Sequence, residues 1–167
     1  MKVKKTTLKN GLRILTVPMK ETQTATVMVA VGVGSRYETK KEAGLSHFIE
    51  HMFFKGTEKR PTTLAISEEL DEIGGEYNAF TSKDKTFYYA KTAAGKLDTA
   101  LDVIADMYLH SKMDAEEIER EKGTILQEIS LYEDTPNRRV GDFFEDMSTC
   151  ISSTSGLFAK LRASSRQ

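Results

Sequence analysis

Cysteine is almost missing from this chain: Cys150 stands alone among 167 residues. That leaves no internal disulfide and no cysteine-rich zinc module. Proline is scarce too, with three residues, and the full set of aliphatic side chains argues against disorder. There is no excess of either charge. Lys and Arg number 24 against 25 Asp and Glu, a formal net charge of −1, which excludes a strongly basic nucleic-acid footprint and an acidic disordered tail. No long hydrophobic run exists either. The best stretch, Ala25 to Val33, contains Thr26 and Gly32 and is too short to span a bilayer. The basic start at Met1 is not followed by the apolar segment of an export signal. These absences leave one ordinary domain, or part of a larger one, expected in the cytoplasm and long enough to bury a core.

What is present is patterned. Residues 6–17 predict two short strands around the turn Lys9-Asn10-Gly11, because Asn-Gly supplies positive φ. Ala25 to Val33 is rich in β-branched residues and predicts a buried strand. Leu45 to Phe54 predicts a buried helix, closed near Gly56 by a left-handed cap. Thr63 to Ile73 predicts an amphipathic helix with Leu64, Leu70 and Ile73 inward, stopped by Gly74-Gly75. Strands are expected over 76–81 and 86–91, joined by the polar turn 82–85. Leu97, Leu101, Ile104, Ala105 and Tyr108 recur at helical spacing, giving a helix to about Ser111. A last helix carries Ile118, Ile125, Ile129 and Tyr132 to about Glu133, with Asp114 as its cap and Glu117 as a capping-box partner. Strands come first and return as a hairpin between helices. The expected fold is therefore α+β, an antiparallel-rich sheet packed against helices, rather than alternating βα units. The domain is expected to occupy residues 1–147, followed by a Ser-rich tail over 148–167.

Two of the three histidines stand one turn apart, in His47-Phe48-Ile49-Glu50-His51. At ~100° per residue, His47, Glu50 and His51 fall within an arc of about 100° on one helix face. Neutral imidazoles so spaced can share a Zn²⁺ ion, while the neighbouring carboxylate reaches the water at the metal's open position. The order is the inverse of the His-Glu-x-x-His zinc proteases. The plainer alternative is two unrelated histidines on a core helix. It must account for three uncommon residues fixed within five positions, on a helix also carrying Leu45, Phe48, Ile49, Met52 and Phe53. A catalytic zinc takes a third protein ligand, and His110 is a candidate by residue type.

The stretch Gly44-Leu-Ser-His-Phe-Ile-Glu-His-Met-Phe-Phe-Lys-Gly-Thr57 resembles the active-site helix of the insulinase/pitrilysin zinc peptidases, a family that includes the mitochondrial processing peptidase. The resemblance implies that the third ligand is a Glu on a later helix with a Glu-x6-Glu pattern. Glu119-Arg-Glu-Lys-Gly-Thr-Ile-Leu-Gln-Glu-Ile129 is similar to that helix and offers Glu128, with 76 residues between it and His51. Glu121 and Glu128, seven positions apart, share one helix face. The implied roles follow. His47, His51 and Glu128 hold the metal, Glu50 is the catalytic base and then acid, and Glu121 is a second catalytic-site carboxylate that orients a ligand or water. His110 is then the partly exposed end of its helix, near the C-terminal dipole. Glu116, Glu117 and Glu119 form a solvated face.

Further along, Gly74-Gly-Glu-Tyr-Asn-Ala-Phe-Thr81 is similar to the family's edge strand beside the zinc. It implies that Asn78, Ala79 and Phe80 bind substrate by pairing with an extended peptide backbone. The resemblance spans roughly residues 5–145 and implies an incomplete N-terminal domain, one of two related α+β domains that close around a peptide. The expected function is that of a zinc-dependent metalloendopeptidase acting on extended peptides or unfolded polypeptides. It is expected as a truncated form that needs a second peptidase domain or subunit for activity. The alternative is a non-catalytic zinc-binding subunit or scaffold module of a peptidase complex. Neither nucleic acid nor membrane is an expected partner. Cys150 reads as inert, and Arg138-Arg139 as a solvated pair.

Overall fold

The computed structural model describes residues 2–136 and residue 140. The expected boundary after residue 147, the 148–167 tail, Cys150 and the Arg138-Arg139 pair lie outside the described residues. Strands β1 (Lys4–Thr7) and β2 (Arg13–Thr16) form an antiparallel hairpin with Lys4 opposite Thr16. Asn10-Gly11 sits at its tip as expected, with Gly11 at φ 87° and the Asn10 Oδ1 accepting the Leu12 N–H at 3.1 Å. The loop is longer than a tight turn, so the strands start and stop earlier and later than the pattern suggests. Every residue of both strands is exposed.

Strands β3 (Thr24–Val31), β4 (Glu76–Thr81) and β5 (Thr86–Ala93) make a separate antiparallel sheet in the order β3-β5-β4. Tyr88 of β5 lies between Val29 of β3 and Ala79 of β4. Helices α1 (Leu45–Met52), α2 (Thr63–Glu72), α3 (Leu97–His110) and α4 (Ala115–Glu133) complete the α+β architecture. The central cluster joins one face of β5 to α2 and α3. Tyr88 and Ala90 meet Ile66 and Leu70, together with Ala100, Val103, Ile104 and Met107. Fully burying an aliphatic side chain of this size contributes about 1.5–3 kcal/mol relative to exposure, so this cluster organises the fold.

Several expectations need correction. Among the described residues β3 is an edge strand, with one half-buried and one exposed face, not a buried one. Leu64 is 64% exposed, and Ile66 takes the inward place assigned to it. Leu64 precedes Ile66 by two positions, about 200° around the helix. Leu101 likewise faces solvent while Ala100, Val103 and Met107 point inward. α1 ends at Met52, and Gly56 at φ 131° is not a left-handed helical cap. Its role is close approach, because a Cβ there would lie 2.6 Å from the Pro61 carbonyl oxygen. Asp114 caps α4 as expected, accepting from the N–H groups of Glu116 and Glu117, but the Glu117 carboxylate pairs with Arg120 and is half-buried. Among the described residues, no helix is long and apolar enough to cross a membrane.

Candidate metal centre

α1 is an eight-residue helix with two working faces. Ser46, Ile49 and Phe53 line a mainly apolar cavity of about 300 Å³, shared with Val31, Tyr88 and Tyr108. Around the helix from these, α1 also carries His47, Glu50 and His51, and the two histidine rings are in contact. Gly44, at φ 96°, begins the helix, and Glu38 braces that end by accepting the N–H groups of Gly44 and Ser46, each at 2.7 Å.

The two imidazoles meet edge to face, their centroids 4.6 Å apart, with Nε2 to Nε2 at 3.2 Å. α4 packs across α1 and adds Glu128, whose Oε2 lies 3.5 Å from His51 Nε2 and 3.9 Å from His47 Nε2. The three ligand atoms lie within 4.8 Å of one another. Two donors each ~2.05 Å from a tetrahedral zinc ion stand about 3.3 Å apart. The His–His spacing matches that figure, and the half-exposed Glu128 needs only a small inward turn. Two imidazole nitrogens and one carboxylate oxygen are also the donor set of an open catalytic zinc site. The residues fit the ion.

Glu121 sits one turn-pair before Glu128 and is only 2% exposed. Its Oε1 accepts from His51 Nδ1 at 2.8 Å, and its Oε2 pairs with Lys55 Nζ. Donation from Nδ1 fixes the neutral tautomer of His51 and leaves the Nε2 lone pair facing His47 and Glu128. Burial pushes the Glu121 carboxyl up, but hydrogen bonds from Lys55 and His51 outweigh it and hold the group below the usual carboxylate range.

Glu50 is not one of the three grouped residues, His47, His51 and Glu128, and is 8% exposed. Thr81, the last residue of β4, donates its hydroxyl to Glu50 Oε2 at 2.5 Å. Thr86 opposite donates to the Val33 carbonyl at 2.9 Å, so both threonine protons are committed. The nearby Tyr88 hydroxyl is pushed up by burial and then by the Glu50 charge. β4 therefore ends on the carboxylate beside the histidines, and β4 is an edge strand with no strand on its outer side among the described residues. Of the expected substrate residues, Asn78 and Phe80 are exposed on the face away from the helices, where Phe80 stacks on Phe87 at 4.7 Å. Ala79 turns inward and joins the rim of the core. His110 is apart from the centre. Its side chain is 63% exposed at the end of α3, with Nδ1 3.0 Å from Asp106 Oδ1.

Sequence reasoning did not single out Lys55, Thr81 or the cluster around Arg60. Lys55 lies just past the end of α1, four residues after His51, where helical spacing gives no sure placement. Arg60 gave no local signal either. It is 2% exposed and clamps the segment after α1 onto α2 and α3. Its guanidinium bonds both oxygens of Glu69 at 2.6 and 2.7 Å, Asp102 at 2.6 Å and Asp106 at 2.8 Å. Thr57 also donates to Asp106 at 2.6 Å.

Comparison with known proteins adds the following. Residues 13–149 match the model of the insulinase family, peptidase family M16. A protein of Bacillus subtilis (strain 168) called an uncharacterized zinc protease is 45% identical over 140 residues, covering 84% of this chain and 34% of that protein. A probable mitochondrial-processing peptidase beta subunit of Arabidopsis thaliana is 47% identical over 124 residues, 74% of this chain and 23% of that one. The crystal structure of a protease from Helicobacter pylori superposes with a TM-score of 0.78 at 31% identity, over 83% of this chain and 33% of that one. The chain thus spans about a third, or less, of the length of these relatives.

Proposed function

The chain belongs to the insulinase family, peptidase family M16, and from that premise we propose that it carries the zinc-binding part of a metalloendopeptidase. The observation that carries this reading is the convergence of His47, His51 and Glu128, from helices far apart in sequence, with Glu121 buried behind His51. In this reading His47, His51 and Glu128 hold one Zn²⁺. When bound, the ion supplies Lewis-acid polarisation of the scissile carbonyl and makes a water more acidic.

The chain's own residues do the rest. Glu50 takes a proton from the attacking water and delivers it to the leaving amine. Thr81 keeps the Glu50 carboxylate in place through Oε2, leaving Oε1 for the proton. Glu121 holds the His51 ring by its Nδ1. The outer edge of β4, at Asn78, Ala79 and Phe80, pairs with an extended peptide, the main-chain bonds giving affinity without demanding a sequence. That strand runs directly into Thr81, so a peptide aligned on β4 is aligned on Glu50 as well. The domain of this reading occupies residues 1–147, its substrates are peptides or unfolded polypeptides, and its compartment is the cytoplasm. A second domain or partner subunit supplies donors for the tetrahedral intermediate and excludes water. The relatives' greater length supports that dependence.

The test is zinc content and hydrolysis of an unstructured peptide by the purified chain, with and without a complementary second half. One zinc per chain with cleavage only in the completed assembly is the expected result. Glu50→Gln should keep the zinc and abolish cleavage there. Zinc bound without hydrolysis in any assembly would favour a non-catalytic subunit. Loss of zinc in Glu50→Gln would make Glu50 a ligand and overturn its role.

A further inference from the structure

We propose that Lys55 is a positioning residue for the metal centre, holding Glu121 in the orientation that presents His51 to the ion. This inference rests on the reading of His47, His51 and Glu128 as zinc ligands, and it adds a residue outside the His-x-x-Glu-His and Glu-x6-Glu patterns.

The geometry is that of a relay. Glu121 has two oxygens in a site that is 2% exposed. One oxygen accepts from His51 Nδ1, and the other is paired with Lys55 Nζ. Without Lys55, that buried carboxylate oxygen has no protein partner among the described residues. A buried acceptor left without a donor carries the full desolvation cost, so the carboxylate swings towards solvent or draws water in. Either movement releases the His51 ring. Partners one step behind a metal ligand typically alter affinity by about 10–100-fold when removed.

Lys55 is itself fixed from both sides, which suits a support better than a solvated charge. Its N–H donates to the Met52 carbonyl at 3.1 Å, closing the last turn of α1. Beyond it, Gly56 accepts from the Lys112 N–H at 3.0 Å, and Thr57 forms a β-bridge with Ser111. Three residues further on, Arg60 locks the same segment to α2 and α3. The side chain is 23% exposed, compared with 52% for Lys122 on the outer face of α4. The segment after α1 therefore acts as a rigid mount that aims one ammonium group at one buried carboxylate.

The experiment uses the full chain and the metal alone. Zinc affinity is measured by competition with a chromophoric chelator for the wild type, Lys55→Met, Lys55→Arg and His47→Ala. Helical content and thermal unfolding of the metal-free forms are recorded alongside. Lys55→Met keeps the aliphatic stem and loses the donor, so its zinc affinity should fall about tenfold or more. Lys55→Arg retains a cationic donor and should stay within a few-fold of wild type. The visible absorption of the cobalt(II)-loaded protein should change in Lys55→Met and be restored in Lys55→Arg, because the ring orientation of His51 sets that spectrum. Wild-type zinc affinity and cobalt spectrum in a folded Lys55→Met, with binding lost in His47→Ala, would overturn the role of Lys55 alone. Undiminished binding in His47→Ala would overturn the zinc site beneath it. A Lys55→Met that merely melts earlier while binding zinc normally would make Lys55 a structural residue and likewise end the proposal.

Discussion

Two polar clusters in this domain are built from nearly the same residue types, and they are opposites. Around Arg60, three carboxylates from α2 and α3 surround one guanidinium, and every close pair is donor to acceptor. Around His47, two ring nitrogens and a carboxylate oxygen crowd within 4.8 Å of one another. The first cluster is complete without any guest. The second is a cluster of possible ligand atoms that could hold a metal ion. What separates the two clusters is the pairing of donors with acceptors, not the density of charged residues.

That contrast can be broken most forcefully at Arg60. Replacing Arg60 by Met leaves Glu69 and Asp106 without their buried counter-charge, and removing one partner of such a set costs about 3–5 kcal/mol. Urea unfolding should show that loss, while the folded fraction keeps its zinc affinity. A normal stability for the variant would show that the Arg60 cluster does not hold the fold together.

The same cluster makes a pH prediction. Arg60 holds Glu69 below its ordinary value, Lys59 and then Arg60 do so for Asp102, and Asp106 is kept low by Thr57, Arg60 and His110 against burial. The unfolded chain therefore binds protons that the folded chain refuses. Stability from these groups is complete above the ordinary carboxylate values, 3.8 for Asp and 4.5 for Glu, and is lost as pH falls through the lower folded values. Wild-type denaturation midpoints should drop steeply there, and those of Arg60→Met should drop less.

Smaller effects sharpen the other side of the comparison. Glu128→Gln should weaken zinc by more than about tenfold, or 1.4 kcal/mol, with little change in the stability of the metal-free chain, since Glu128 is half-exposed. His110→Ala should leave zinc affinity unchanged, because its partner is Asp106 and not the centre. Equal zinc affinity in both variants would remove Glu128 from the site. Smallest of all is Lys122→Ala. It breaks an exposed pair with Glu119, and no measurable shift in Tm is expected.

The sequence disclosed what repeats locally. The Asn-Gly turn and the Asp114 cap each depend on a few neighbouring residues, and both appear where expected. Glu128 needed the family spacing, because nothing local distinguishes it from Glu116 or Glu119. Helix existence was legible, but helix phase was not: Leu64 and Leu101 face water because Ile66, Val103 and Met107 fit the sheet better. The β3-β5-β4 order, the exposed side of β3 and the Arg60 clamp are products of tertiary packing, which leaves no period in the chain. The Lys55–Glu121 pair spans 66 positions and was invisible for the same reason.

α4 contributes one of the three candidate ligands, Glu128, but none of the central cluster formed by β5, α2 and α3. It is held instead to α1, through its own buried Ile125 and Ile129 and the Glu121 contacts. Such an arrangement makes α4 a separable cooperative unit, able to open while the sheet and its two helices stay closed. Its amides would exchange with solvent on a faster clock than those of β5. A bound ion bridging α1 and α4 would slow that clock in proportion to its affinity, so occupancy of the centre is readable as protection along a single helix.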